Sequence, residues 1–377
     1  MLIVDGHLDL AWNALDWNRD LARSIAEIRL SERMMPEKAR AANTVSFPEL
    51  KKGQVMMSFA TLLARVAHET NQYRGNHSQE ICHAKAMGQL AYYELYERLG
   101  TLRILKDWPS VEAHVAEWQR AANENRDTTR AAAESLSPSG AEGDLETPPH
   151  GVVIAMEGAD PITSPDELAL WHERGLRLLG LAHYGASSYA HGTGAVGGLR
   201  GQARALLRAM EELGIILDLT HLADEAFWEC LDVYQGPVHA SHCNCRALVP
   251  GQRQLADEQI KAIIERDGVI GVALDMWMLQ PGWVQGIAFN EKIKTLEAVV
   301  DHIDHICQLA GNAEHVAIGS DLDGGFGIEQ TPLGLDTIAD LQKIPGLLAA
   351  RGYAADDVAR IMHGNWLRML RRAWSGR

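Results

Sequence analysis

Residues 3–9 read Ile3-Val4-Asp5-Gly6-His7-Leu8-Asp9. A short apolar run enters, and a histidine and an acid stand at its end. His7 and Asp9 are two apart, so on a strand both side chains point to one face. An imidazole and a carboxylate converging on one point make half of a metal site. A single such pair occurs by chance in a chain of 377 residues. Its weight comes from later segments that end in the same way.

Seven more short runs rich in Val, Ile, Leu or Met follow, at 55–63, 151–157, 176–183, 214–221, 237–242, 269–275 and 315–323. Helical periodicity separates most of them, at 202–213, 257–267 and 295–310. In the last of these, Leu296, Val299, Val300, Ile303 and Ile306 form one apolar stripe. Strand alternating with helix predicts a parallel sheet, and eight strands predict an α/β fold of the closed (β/α)8 TIM-barrel type. Such a barrel takes about 250 residues. The chain is therefore read as a single domain over 1–377 with a helical and loop insertion at about 64–150. Helices are expected there at 78–100 and 110–122, followed by a long surface loop at 123–149. A final helix at 354–374 carries acids near its start and arginines near its end, as the helix dipole favours.

Composition narrows the function. A formal net charge of -15 with no basic block argues against nucleic acid or an anionic membrane as partner. Five cysteines make no disulfide framework in a chain this long, and Cys243-x-Cys245 lacks the second pair of a structural zinc site. No apolar run reaches the roughly 18 residues of a membrane span. With the first strand beginning almost at Met1, the reading expects no signal peptide and a cytoplasmic enzyme.

In a parallel barrel the chemistry stands at the C-terminal ends of the strands. The candidate site groups stand at the ends of six of the eight expected strands: His7 and Asp9, Glu157, His183, His221, His242, and Asp321 with Asp323. His239 and His242 are three apart, so parity turns His239 toward the helices. Asp321 and Asp323 share a strand face and stay unresolved. His302 and His305 read as a solvated helix face, and His191 as a residue near the site without a role in it. Oxygen and imidazole ligands together suit zinc or a similar divalent ion. Five ligands exceed what one open catalytic zinc takes, but suffice for two ions if Glu157 bridges. His7, Asp9 and Glu157 would then hold one ion, and Glu157, His221 and His242 the other. Two ions sharing a water generate a nucleophile and polarise a carbonyl, which is hydrolytic chemistry.

The motifs Asp5-Gly6-His7-Leu8-Asp9, Glu157-Gly158, Leu181-Ala182-His183, Asp218-Leu219-Thr220-His221, Ser241-His242-Cys243-Asn244-Cys245-Arg246, Gly319-Ser320-Asp321-Leu322-Asp323-Gly324 and Gly364-Asn365-Trp366-Leu367-Arg368 run in this order through nearly the whole chain. Together they resemble the renal (membrane) dipeptidases, zinc dipeptidases of the metal-dependent amidohydrolase type, peptidase family M19. The resemblance implies two Zn2+ per chain on His7, Asp9, Glu157, His221 and His242. It implies that His183 contacts the substrate carbonyl oxygen, that Arg253 binds the substrate's terminal carboxylate, and that Asp321 shuttles the proton. It also implies a homodimer. The reading drawn from the sequence is a binuclear zinc dipeptidase that cleaves dipeptides through a metal-bridging hydroxide. The alternatives are a deacylase or amidase acting on N-acyl or D-amino-acid substrates, and a metal-binding scaffold without catalysis. Trp12, Tyr184, Tyr189 and Trp277 follow strand ends and are expected to line the pocket or pack in the core.

Overall fold

The computed structural model describes residues 1–67, 75–134, 147–284 and 291–375, with the side chains of 125–134 left aside. Nine strands are present among them: β1 Ile3–Leu8, β2 Val55–Leu63, β3 Leu102–Ile104, β4 His150–Glu157, β5 Leu176–Gly180, β6 Ile216–Asp218, β7 Val238–His239, β8 Ile270–Val272 and β9 Val316–Ile318. Eight lie where apolar runs predict them. β3 is the addition, a three-residue strand held against His150–Val152 of β4. β5 pairs further along the same strand, at Ile154–Met156.

Every ladder between these strands is parallel, and the order is β1-β2-β4-β5-β6-β7 with β3 beside β4, and β8-β9 as a second sheet. A bridge between Ala240 and Ile270 carries the curl on from β7 to β8. The result is a curled parallel sheet buried on both faces, which is why β2 and β4 read as near-continuous apolar runs. The alternation still sorts the side chains. Val152, Ile154, Met156, Leu217 and Val238 pack outward with helix residues such as Leu90, Leu206 and Phe227. Val4, Phe59, Val153, Ala155, Ile216 and Ala317 meet one another on the concave side.

The helices follow from local chemistry. Helix Ile25–Glu32 opens on Ser24, whose hydroxyl accepts from the Glu27 N–H while Glu27 reaches back. Helix Ala203–Leu213 buries Leu206, Leu207 and Met210 and stops at Gly214, whose φ of 72° is the left-handed C-cap. Helix Trp108–Glu134 overturns part of the loop expected at 123–149. Its Ala, Glu and Arg residues are strong helix formers and carry the helix on; 135–146 lie outside the described residues. Helix Asn365–Trp374 plugs the concave side. Trp366 is fully buried there against Phe59, and its indole N–H donates to the Ile318 carbonyl at 2.8 Å.

The strand ends converge tightly at the level of Gly6. A Cβ on Gly271 or Gly319 would lie about 2 Å from the Ser241 carbonyl oxygen, so only glycine fits at either position. β9 and β1 form no backbone ladder among the described residues. They are tied by the Asp5 carboxylate, which accepts from the Ser320 N–H at 2.8 Å. No helix among the described residues is long and apolar enough to cross a membrane.

Candidate metal centre

The convergence of strand ends brings four of the expected histidines around one carboxylate oxygen of a fifth expected group. Glu157 Oε1, at the end of β4, lies 3.2 Å from His221 Nε2, 3.4 Å from His242 Nε2, 3.7 Å from His7 Nε2 and 3.7 Å from His183 Nε2. His7 Nε2 is also 3.8 Å from both Asp9 Oδ1 and Asp321 Oδ1. The ligand atoms fall into three overlapping groups: His7, Glu157 and His242; Glu157, His183 and His221; His7, Asp9 and Asp321.

How each side chain reaches the centre depends on local backbone rather than on strand parity. In β1 the pairing runs Asp5 with Ser58 and Leu8 with Ala60, so one extra residue is accommodated between them. That bulge turns His7 inward, away from the face its place in the strand assigns. His221 and Asp321 lie three residues beyond β6 and β9 at φ of 67° and 58°. Non-glycine residues seldom adopt this conformation, and it concentrates at functional sites.

The same fact corrects two expectations. Asp323, at φ 64°, does not share a face with Asp321. It is buried elsewhere, accepting from the Thr44 N–H and hydroxyl and the Val45 N–H at 2.7–3.0 Å, with Arg19 3.7 Å away. His239 does not face the helices. It lies on the concave side, edge-on to Phe59 and Trp366 and 3.6 Å from Asp218. The strand ends at His239, so the three-residue count to His242 crosses a turn.

Second partners distinguish the histidines. Arg65 Nη1 lies 2.6 Å from His183 Nδ1. A guanidinium only donates, so Nδ1 accepts and the imidazole proton sits on Nε2. His183 therefore presents an N–H to the centre. His221 is the opposite case. Thr193 donates its hydroxyl to the His221 carbonyl at 3.3 Å and faces Nδ1 at 2.9 Å, so it accepts the Nδ1 proton and leaves the Nε2 lone pair free. His242 Nδ1 meets the Ser241 hydroxyl at 2.8 Å. The buried Nε2 of His7 has no hydrogen-bond partner, and an unmatched buried nitrogen amid three carboxylates fits a cation.

Electrostatics point the same way. Burial disfavours charge on His183, His221 and His242, and the nearby Arg253 adds to it, so all three pKa values fall well below the ordinary range. Burial also opposes a proton on His7, but Glu157, Asp9 and Asp321 outweigh it and raise its pKa to about 10. Burial, aided by Asp9 and Asp218, lifts Glu157 to about 7. Burial, with Asp9 and Glu157, pushes Asp321 well above the carboxylate range. Without a cation the cluster must retain protons. Divalent ions would neutralise the same carboxylates as ligands.

A cavity of about 510 Å³ opens above these groups, walled by Trp12, Arg65, Tyr184, Arg253, Asp275 and Met278. Arg253 is buried and held by the His242 carbonyl at 3.0 Å. Trp277 stacks on Tyr184 at 6.4 Å. Tyr189 is buried with its hydroxyl on the Ile162 carbonyl, and His191 bonds to the Gly198 carbonyl. His302 is not solvated, because it is buried and accepts the Cys245 N–H at 3.0 Å, whereas His305 pairs with Asp257.

Arg65 and Asp275 escaped the sequence reading. The signal was available, since they follow the two strands to which no site group was assigned, β2 and β8.

Comparison with known proteins agrees with this architecture. Dipeptidase tcpJ of Claviceps purpurea is 30% identical over 232 residues, 59% of this chain and 51% of that protein. Dipeptidase 3 of Mus musculus is 26% identical over 241 residues, 62% and 46% of the two chains. The chain thus spans about half the length of the curated relatives it matches. A metallo peptidase from Rhodobacter sphaeroides, solved with a phosphinate mimic of the dipeptide L-Ala-D-Ala, shares the fold with a TM-score of 0.75 at 21% identity, over 99% of both chains. The family model for membrane dipeptidase matches residues 1–375, and the chain belongs to that family, peptidase family M19.

Proposed function

We propose that the protein is a binuclear zinc dipeptidase. The observation that carries this reading is Glu157 Oε1 within 3.2–3.7 Å of four histidine Nε2 atoms. His7, Asp9 and Glu157 would hold one ion, and Glu157, His221 and His242 the other. Bound there, two divalent ions supply Lewis acidity and a water of lowered pKa.

The chain's own residues do the rest. His183, with its proton fixed on Nε2 by Arg65, donates to the substrate carbonyl oxygen as negative charge develops on it. Asp321 Oδ1 takes the proton from the attacking water and passes it to the leaving amine nitrogen. Arg253 pairs with the substrate's terminal carboxylate. The cavity of about 510 Å³ suits a substrate of two residues.

The same reading includes full closure of the eight-stranded barrel as one domain with the 64–150 insertion, a homodimer and a cytoplasmic location. The Asp5 to Ser320 tie and the glycine-lined convergence at Ser241 support the closure. The test is elemental analysis combined with turnover. Zinc-saturated protein should hold two ions per chain and hydrolyse dipeptides. One ion per chain, or hydrolysis of N-acyl amino acids without dipeptides, would sink the reading.

A further inference from the structure

Beneath the ligands lie two carboxylates to which the mechanism gives no part. Asp5 is fully buried, and its Oδ1 accepts two backbone N–H groups, from His7 at 3.1 Å and from Ser320 at 2.8 Å. Asp218 lies on the concave side, its side chain 15% exposed. Its Oδ1 also accepts two, from Thr220 and from Ser241, each at 3.0 Å. The symmetry is specific. Asp5 fastens the backbone of His7 to that of the residue before Asp321. Asp218 fastens the residue before His221 to the residue before His242.

From these contacts we propose that Asp5 and Asp218 are positioning residues that set the spacing within each pair of site groups. His7 with Asp321 is one pair, and His221 with His242 the other. The proposal rests on the binuclear reading.

A clamp is required at these points because the ladders have ended. β6 and β7 stop at Asp218 and His239, and β9 stops at Ile318. Beyond them His221 and Asp321 sit in left-handed backbone, which no regular pairing holds. A side-chain oxygen accepting two N–H groups replaces the missing ladder bonds. On the Asp218 side the hold extends to the rings. Thr220 Oγ1 meets Ser241 Oγ at 3.2 Å, and Ser241 Oγ meets His242 Nδ1 at 2.8 Å. The other oxygen of Asp218 faces His239 Nε2 at 3.6 Å. The acceptor atom, rather than the charge as such, carries the role. Asparagine should serve and alanine should not.

The experiment is stepwise titration of Co2+ into metal-free full-length protein, followed by calorimetry and by the visible absorption of the bound ion. Circular dichroism monitors the fold. Supporting residues around metal ligands typically contribute about 10–100-fold in affinity. Asp218→Ala and Asp5→Ala should therefore each weaken one of the two binding steps by about that factor and leave the other in place, and the double variant should weaken both. Asp218→Asn and Asp5→Asn should restore affinity to within a few fold. If wild-type protein binds fewer than two ions, the binuclear reading itself fails. If it binds two and the alanine variants bind both ions as tightly, or lose both steps equally, the clamp proposal is overturned. Should the alanine variants not fold, the asparagine variants decide. Retained affinity supports an acceptor role, and a loss of tenfold or more overturns it.

Discussion

The two ends of the sheet's concave side have the same strands and opposite chemistry. At the end where the chain enters the strands, the space is filled by Phe59, Val4 and Trp366, all fully buried. At the other end it holds Glu157, Asp9, Asp321 and four histidines within a few ångströms. The apolar end is built by regular alternation along strands. The charged end is built where alternation stops, by the bulge at His7 and the left-handed residues His221 and Asp321. Regular backbone makes the core, and its interruptions make the site.

Breaking the charged end should give the largest effect. Glu157→Gln exchanges the shared carboxylate for a neutral amide, and metal content and turnover should fall together. The loss should exceed the roughly 10–100-fold that a supporting-residue change costs in metal affinity. Elemental analysis beside an activity assay checks this, and a fully loaded active variant would remove Glu157 as the bridge. Asp321→Asn should lower kcat by ~10²–10⁴ with metal retained. Asp323→Asn, two residues away, should act on stability instead, because it weakens a carboxylate that holds Thr44 and Val45 and neighbours Arg19. Full kinetics and denaturant titration on both variants separate the roles, and the reversed pattern would put the proton shuttle on the wrong aspartate.

At the apolar end, Trp366→Ala should cost about 3–5 kcal/mol of stability, the usual range for an emptied aromatic site. The change should leave kcat of the remaining folded protein close to wild type. Chemical denaturation gives the first value and active-site titration the second.

Histidines sharpen the contrast further. His150, at the start of β4, is buried between the Val55 carbonyl and the Ser58 hydroxyl. Burial lowers its pKa to about 4. The unfolded chain takes up a proton near pH 6.5 and the folded protein does not. The stabilisation is therefore complete above about 6.5 and is lost as pH falls toward 4, on the order of 3 kcal/mol in all. His150→Gln should flatten that part of the stability profile, and an unchanged slope would contradict the assignment. The smallest effect belongs to Arg253→Ala. It should raise KM with kcat nearly unchanged, by the equivalent of about 1.5–3 kcal/mol. A fall in kcat at constant KM would remove it as a uniform carboxylate anchor.

This contrast also explains what was legible in the sequence. Apolar runs located eight strands, because a sheet buried on both faces needs them. The residues at the ends of those runs included every group now found around Glu157. Orientation was less legible. Parity reasoning assumes that the strand continues, so it misassigned His239 and left Asp321 and Asp323 unseparated. β3 is hidden because Arg103 interrupts its apolar residues and it falls between two helical stretches. The helix through 123–134 was hidden by polar composition, although its residues favour helix. Arg65 carries no metal-ligand signal, because a guanidinium is no metal ligand and acts here through the His183 ring.

The plug formed by Trp366 has a consequence for how the chain matures. Helix Asn365–Trp374 comes after the nine strands found among the described residues, yet its tryptophan fills the space between β1 and β9 and bonds to Ile318. During synthesis the strands leave the ribosome with that space unfilled. Packing of this space waits for that helix, and until then Phe59 and Val4 face an open interior. The nascent chain should accordingly remain protease-sensitive and chaperone-bound until residue 366 is clear of the exit tunnel, and then become resistant in one step.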